Sequence, residues 1–175
     1  DPHGSSSSWV KSARSSGVFV KHYVPSEFGE RRWLLSSRSL IRSYRDNFKY
    51  LICDLTWSPA MDAEFIHEFD LVIVPTSVSS IELAGTKKFI ESISWVFQLN
   101  NRTAPTLLVC PSRVTQKELL TSPFNKNYLS IPFLLLPPIL FDNQMKVFFK
   151  NSYVFDRPSA SSKAFNKCAE AIVKA

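Results

Sequence analysis

Four apolar runs of strand length alternate with amphipathic segments, and this alternation limits the folds open to the chain. The runs lie at residues 50–53, 70–76, 104–112 and 131–138. Each run is nearly continuous in apolar residues, which is typical of a strand buried on both faces. Strands that alternate with helices form βαβ units. We therefore predict an α/β fold whose mainly parallel sheet carries helices on both faces.

The segments between the runs have helical spacing. Residues 30–47 place apolar side chains on one helical face and arginines on the other. A short helix is predicted for residues 58–69 and a long one for residues 79–101. Two further helices are predicted for residues 140–151 and 159–175.

The Ser-rich stretch at residues 4–17 is interpreted either as a flexible linker or as a surface loop. With 175 residues, of which 45% are hydrophobic, the chain is the size of one domain with a real core. Its four glycines form neither GxGxxG nor GxxxxGK. The longest apolar run, residues 131–141, is too short to span a membrane and contains Pro137 and Pro138.

Charge and cysteine content add two expectations. The net charge of +6 favours a polyanion such as nucleic acid as a partner, although it is also compatible with a role in solubility alone. Cys53, Cys110 and Cys168 are far apart in the sequence and show no spacing typical of a metal site or a redox pair. We expect buried, reduced thiols in a cytoplasmic protein.

Asp54 ends the first apolar run. A carboxylate inside a buried strand would be costly, but the C-terminal end of a strand lies at the edge where open α/β sheets bind ligands. Asp54 therefore either caps the next turn or is a Walker B acid that orients Mg²⁺ beside a nucleotide's phosphates. Thr76 and Ser112 are expected at the same edge, where their hydroxyls either contact a ligand or cap turns.

Four segments, by their order and spacing, resemble the ParA/MinD-like partition ATPases, and most closely the ParA branch. The stretch "DPHGSSSSW" at residues 1–9 resembles the family's D-x-D-P motif from its second acid onward. Residues 48–85 resemble the Walker B strand and the strand after it. Residues 105–114 resemble a later strand, and residues 134–172 resemble the family's closing segment.

The resemblance implies a three-layer, P-loop NTPase-like fold that binds ATP and Mg²⁺. Asp1 would position the water that attacks the γ-phosphate, and Asp54 would be the Walker B acid and metal ligand. Thr76 would lie near the nucleotide and the dimer interface. Ser112 and Pro138 would contact the adenine ring.

The resemblance also implies partners. Family members form ATP-dependent homodimers, bind DNA non-specifically and are stimulated by a ParB-type activator, and they segregate plasmids, chromosomes or other cargo. We therefore expect a protein of the bacterial cytoplasm that associates with the nucleoid and not with a membrane. Lys146, Lys150, Arg157 and Lys163 are predicted to contact DNA, and the alternative is a solvated helix face.

The family's deviant Walker A loop should lie about thirty residues before Asp1 and is not part of this sequence. We therefore expect residues 1–175 to form a single ParA-like ATPase domain that is incomplete at its N-terminus. Two alternatives stay open. The chain could be a degenerate, non-catalytic relative that binds DNA or protein, or the likeness could extend only to the general α/β architecture.

Overall fold

The structure of the protein is a computed structural model. The structure describes residues 4–13, 17–23, 33–56, 63–98, 104–120, 124, 128–143, 145, 153–156 and 158–175. The helices are α1 (Ser5–Ser12), α2 (Trp33–Arg45), α3 (Ser80–Ser92), α4 (Ser94–Phe97), α5 (Gln116–Leu120) and α6 (Ala160–Lys174). The strands are β1 (Leu71–Thr76), β2 (Thr106–Val114), β3 (Leu134–Leu135) and β4 (Ile139–Leu140), and 3₁₀ helices cover Ala63–Glu68 and Val154–Asp156.

The strands form a small open sheet in which every described pair is parallel. Strand β2 lies in the middle, with β1 on one side and β3 and β4 following each other along the other side. The register runs from Leu71 opposite Thr106 to Thr76 opposite Pro111. The predicted mixed α/β fold with a mainly parallel sheet is confirmed at this level.

Both faces of β2 are buried, as expected for a central parallel strand. Leu107 and Val109 point to the face covered by α3, where they pack with Ile90. Leu108 and Cys110 point to the opposite face, which is covered by α6. The near-continuous apolar sequence of β2 follows directly from this arrangement, because both faces of the strand contact a hydrophobic layer.

Proline positions shape the strands. Pro75 lies within β1, which is an edge strand of the described sheet, and an edge strand tolerates a residue without an N–H group. The run predicted as one strand at residues 131–138 forms β3, and β4 follows after Pro137 and Pro138. Both short strands pair with β2 in parallel, so the prolines divide the predicted strand into two, and both parts stay next to β2.

The predicted strand at residues 50–53 is wrong. These residues have no strand pairing, and Tyr50, Leu51 and Ile52 are exposed. Ile52 exposes 89% of its surface, the opposite of what a two-sided buried strand requires. No strand in the described part of the chain lies beside this segment, so its backbone has no neighbouring strand with which to form a β-ladder.

The predicted helices need smaller corrections. Trp33–Arg45 confirms the helix expected within residues 30–47, and Ala160–Lys174 confirms the C-terminal one. The long helix predicted for residues 79–101 breaks at Ile93, which separates α3 from α4. Leu140, the first residue of the helix predicted for residues 140–151, belongs to β4 instead. Most of that predicted helix lies outside the described residues.

Ser5–Ser12 of the Ser-rich stretch forms helix α1, so this part is neither the linker nor the loop that its composition indicates, and residues 14–16 lie outside the described residues. Ser7 Oγ donates to the Gly4 carbonyl at 2.9 Å and Ser12 Oγ to the Trp9 carbonyl at 2.9 Å, so these hydroxyls bond within the helix. Gly4 precedes the helix with φ +65°, and a Cβ there would come within 2.9 Å of the His22 ring. Glycine is therefore favoured at this position over residues with a side chain.

Candidate functional site

The carboxyl ends of β1 and β2 meet at one edge of the sheet, as the parallel pairing requires. Thr76 at the end of β1 is buried, and its hydroxyl accepts a hydrogen bond from Thr86 Oγ1 at 2.8 Å. The same hydroxyl donates to the Ser77 carbonyl at 3.2 Å. These contacts join the strand to α3, so Thr76 lies at the predicted edge and holds a helix in place there.

Ser112 also lies at this edge, where β2 is irregular. Its hydroxyl is 3.4 Å from the Cys110 carbonyl, a long hydrogen bond that leaves the group available to a ligand. A register shift between Ser112 and Val114 marks a bulge in the pairing with β4. Arg113, inside the bulge, has φ +57°, which is uncommon for a residue with a side chain. Bulges of this kind re-aim side chains next to ligand sites.

A cavity of about 600 Å³ opens beside Ser112, between the sheet and α6. Ser112, Arg113, Asp142 and Asn143 are among the residues that line it, although nearly all of the wall is apolar. A mainly apolar cavity with a few polar groups is typical of small-molecule sites. The apolar part of the wall includes Ile73, Pro75, Ile139, Phe155, Phe165 and Ile172.

Pro138 is half-buried next to this cavity, and its neighbour Ile139 forms part of the wall. Asp142 follows β4 and accepts a hydrogen bond from Ser161 Oγ in the first turn of α6. This hydrogen bond joins the segment after β4 to the helix that covers the cavity.

An ion pair absent from the sequence predictions crosses the same edge. Arg113 Nη2 lies 3.1 Å from both carboxylate oxygens of Glu82, which is in the first turn of α3. The Ser77 N–H also bonds this carboxylate, at 3.2 Å. Hydrogen bonds from Ser77 and the charge of Arg113 together lower the pKa of Glu82. The S-x-x-E spacing from Ser79 to Glu82 is a sequence signal that would have indicated this turn, but none of the sequence predictions used it.

Asp54 contacts the segment that carries the D-x-D-P resemblance. Ser6 Oγ in the first turn of α1 donates to Asp54 Oδ2, although the two residues are 48 positions apart. Asp54 is exposed and follows the unpaired residues 50–53, so it does not end a strand of the described sheet. Asp1, the other predicted catalytic acid, lies outside the described residues.

Of the residues predicted to contact DNA, Lys163 is described and lies exposed on α6. Lys146, Lys150 and Arg157 lie outside the described residues. The opposite face of α6 carries Cys168, which packs on the sheet. The outward lysine and the inward thiol agree with the amphipathic pattern of a terminal helix docked on the core.

Three further findings bear on the predicted ligands and relatives. Among the described residues, no group of three or more His, Cys, Asp and Glu side chains is placed to hold a metal ion. No helix within the described ranges is long and apolar enough to cross a bilayer. No known family model matches the sequence, and no curated protein and no solved structure matches it.

Proposed function

We propose that the chain is the larger part of a ParA/MinD-like nucleotide-binding domain and that the cavity beside Ser112 receives the adenine ring. The observation that carries this proposal is the position of Ser112. The family resemblance assigns this residue to the adenine pocket, and it lines an apolar cavity at the carboxyl edge of a parallel sheet. Ligands of open α/β sheets bind at this edge. Flat apolar walls with a few polar groups suit a purine.

The contact between Ser6 and Asp54 supports the same proposal. Under the resemblance, the segment after Asp1 and the Walker B acid serve the same phosphates, so they have to lie close together. The hydrogen bond from Ser6 to Asp54 joins those two segments. Mg²⁺ in a nucleotide site takes only one or two carboxylates because the phosphates supply further oxygens. Asp54 and a neighbouring hydroxyl are donors of the right type for such a shared site.

In the proposed ATPase, the bound ATP and Mg²⁺ supply the reacting phosphate and its charge neutralisation. Asp54 would hold the metal on its carboxylate, and Asp1 would orient the attacking water. Thr76 would keep α3 against the end of β1, next to the dimer interface. Homodimerisation around the nucleotide and stimulation by a ParB-type activator belong to this proposal as well.

A non-catalytic binding module of the same family is the second candidate. One observation favours it: residues 50–53 do not join the sheet, so Asp54 is not presented at a strand end. A domain that no longer hydrolyses ATP does not need a carboxylate at the end of a strand. The two candidates differ in whether the product of the complete reading frame binds Mg·ATP and hydrolyses it.

The test is ATP binding by the product of the complete reading frame, measured by calorimetry with Mg²⁺. Ser112→Phe would fill the cavity and is expected to weaken ATP binding about tenfold or more through overpacking. The matched control is Ser43→Phe on the exposed side of α2, which should bind ATP normally. Equal affinity in both variants would contradict the adenine assignment.

Asp54 is tested separately by its metal dependence. Asp54→Ala is expected to reduce hydrolysis and to remove most of the gain in ATP affinity that Mg²⁺ gives. Asp46→Ala removes an exposed acid near the end of α2 and serves as the control. If the unmodified product does not bind ATP at all, the binding-module candidate replaces the ATPase.

DNA binding is the partner proposed for the basic C-terminal region. Each Lys or Arg that contacts a phosphate adds roughly 0.9 to the slope of log affinity against log salt. Charge reversal at Lys146, Lys150, Arg157 and Lys163 should therefore flatten the slope, whereas reversal of exposed Lys117 on α5 should not. The measurement is a salt titration on the ATP-loaded product, and an unchanged slope would mean that these four residues do not contact DNA.

A further inference from the structure

Two thiols that are far apart in the sequence meet in the core. Cys110 Sγ of β2 and Cys168 Sγ of α6 are 3.7 Å apart, and 58 positions separate the two residues. Both side chains are about 95% buried. Both are free cysteines. The two thiols share a hydrogen bond in which either sulfur can be the donor, and they are not joined by a disulfide.

The thiol pair is accessible through the cavity beside Ser112. Cys110 and Cys168 both contribute to its lining. The lining also includes Phe141 and Phe155, which are more than half exposed, so the cavity reaches the surface. A small oxidant can therefore meet the sulfur atoms without unfolding of the sheet. Most buried core cysteines lack such a path and are inert.

We propose that Cys110 and Cys168 form a redox modification site that closes to a disulfide when a peroxide enters the cavity. One thiolate attacks the peroxide, an S–O bond forms and the O–O bond breaks, and water leaves after proton transfer. The second sulfur then attacks the sulfenic acid, an S–S bond forms, and a second water leaves. Two thiols lose two electrons in total, and hydrogen peroxide accepts both.

The distances allow this reaction with small movements. The sulfurs must approach from 3.7 Å to the roughly 2.0 Å of an S–S bond. Both residues lie beside the cavity, so their side chains have room to move. Burial, together with neighbouring Cys110, raises the pKa of Cys168 to about 12. The thiolate is the reactive form, and a raised pKa leaves little of it at neutral pH. Oxidation should consequently be slow, as in a response to prolonged oxidative stress, and not as fast as an enzyme's turnover.

A bond between Cys110 and Cys168 would attach α6 covalently to the central strand. Closing a loop of this length restricts the unfolded chain, and we expect the melting temperature to rise by about 10 °C. The bond would also fix one wall of the cavity, so any ligand bound there should respond to the redox state. The modification itself does not depend on the identity of that ligand.

Peptide mapping under non-reducing conditions tests the proposal on the folded, unmodified protein. After peroxide treatment, free thiols are alkylated and the chain is cut after Lys and Arg. The expected product joins residues 103–113 to residues 168–174 and is lighter by two hydrogen atoms than the two free peptides combined. Recovery of both cysteines in alkylated form after prolonged exposure to peroxide, long enough for thiols of raised pKa to react, would overturn the proposal.

Single substitutions supply the controls. Cys53→Ser should retain both the cross-link and the rise in melting temperature, because Cys53 is not part of the pair. Cys168→Ala should lose both while the reduced protein still folds, as shown by circular dichroism. If Cys168→Ala does not fold, the peptide map of the unmodified protein decides alone. A cross-link that includes Cys53, or one that forms only in urea, would also overturn the proposal.

Discussion

Two stretches with almost the same apolar pattern have opposite structures in this protein. Residues 50–53 (Tyr-Leu-Ile-Cys) are unpaired, and the first three of them are exposed, whereas residues 71–74 (Leu-Val-Ile-Val) form the first two thirds of β1. Both stretches are rich in strand-forming residues, and each is followed shortly by a polar residue at the expected ligand edge. Their intrinsic preferences therefore do not explain the difference.

The difference lies in the neighbours that each stretch finds. Strand β1 pairs with β2 over six residues, and Val74 packs with Val109 in the core. Within the described residues, the segment at 50–53 has no adjacent strand, and Lys49 Nζ lies over the Tyr50 ring, 5.2 Å from its centroid. Phe48, just before it, stacks on Phe19 with ring centroids 5.7 Å apart. A strand pattern thus predicts a strand only where a partner edge is available.

Amide hydrogen exchange tests this comparison most directly, and the difference in exchange between the two regions is the largest effect that we expect. Amides of residues 107–110 should exchange only by opening of the sheet, while those of residues 51–53 should exchange nearly freely. We expect a difference of roughly 1,000-fold or more in protection factor. Comparable protection of both segments would show that residues 50–53 are paired in solution, and the comparison would fail.

Truncation of one side chain in each region should give the next largest effect. Leu108→Ala removes a fully buried side chain from β2 and is expected to lower the free energy of unfolding by about 3 kcal/mol. Ile52→Ala, at a residue that is 89% exposed, should change it by less than about 0.5 kcal/mol. Urea denaturation measures both. A large loss for Ile52→Ala would reveal packing that its exposure does not indicate.

Helix α2, which precedes residues 50–53, is held by charge and not by apolar packing alone. Buried Glu68 in the 3₁₀ helix Ala63–Glu68 accepts two hydrogen bonds from Arg42, at 2.7 and 3.1 Å. Arg38 Nε lies 3.3 Å from the same carboxylate. Glu68→Gln should therefore lower the free energy of unfolding by about 2 kcal/mol. Glu64→Gln, at an exposed acid 3.6 Å from Arg38, is the control and should have little effect.

The same carboxylate predicts a dependence on pH. Hydrogen bonding to Arg42 lowers the pKa of Glu68 below its ordinary value of 4.5, against the opposing effect of burial, and the charges of all three arginines add to this. A lowered pKa stabilises the fold above pH 4.5, and that stability is lost as the pH falls through the folded-state pKa. Urea denaturation between pH 7 and pH 3 should show a shallower loss for Glu68→Gln than for the unmodified protein.

The smallest effect is expected at the hydrogen bond next to the exposed segment. Ser6→Ala removes the donor to Asp54 and should cost about 1 kcal/mol or less, since the pair is exposed. Ser8→Ala, on the exposed side of α1, is the matched control. Limited proteolysis is the sensitive measurement, because release of Asp54 should speed cleavage around residues 50–56. Identical cleavage in both variants would mean that this bond does not hold the segment.

The sequence was sufficient to predict the parts of the fold that rest on periodicity. Strands β1 and β2, helix α2 and helix α6 match their predicted positions because their apolar spacing corresponds to real buried faces. Helix α1 was not predictable from composition, since its serines are stabilised by bonds to nearby carbonyls that no propensity scale includes. The strand predicted for residues 50–53 was wrong because strand pairing depends on two segments, whereas apolar spacing describes only one.

The candidate site was predictable to a lesser extent. Sequence order placed Thr76 and Ser112 at one edge, since parallel strands end together. The ion pair between Arg113 and Glu82 depends on a bulge and a positive φ angle, which residue types alone do not indicate. The contact between Cys110 and Cys168 depends on how α6 lies over β2. Such contacts between distant elements are decided by packing and not by spacing.

Pro75 has a consequence for how copies of this molecule meet. An open strand edge displays a row of N–H and C=O groups on which another strand can assemble, and this is a common beginning of aggregation. In the described sheet β1 is such an edge, and Pro75 removes one donor from the row near its end. Replacement by valine would complete the row and extend a β-rich apolar stretch. We therefore expect Pro75→Val to increase strand-to-strand association between copies of the protein.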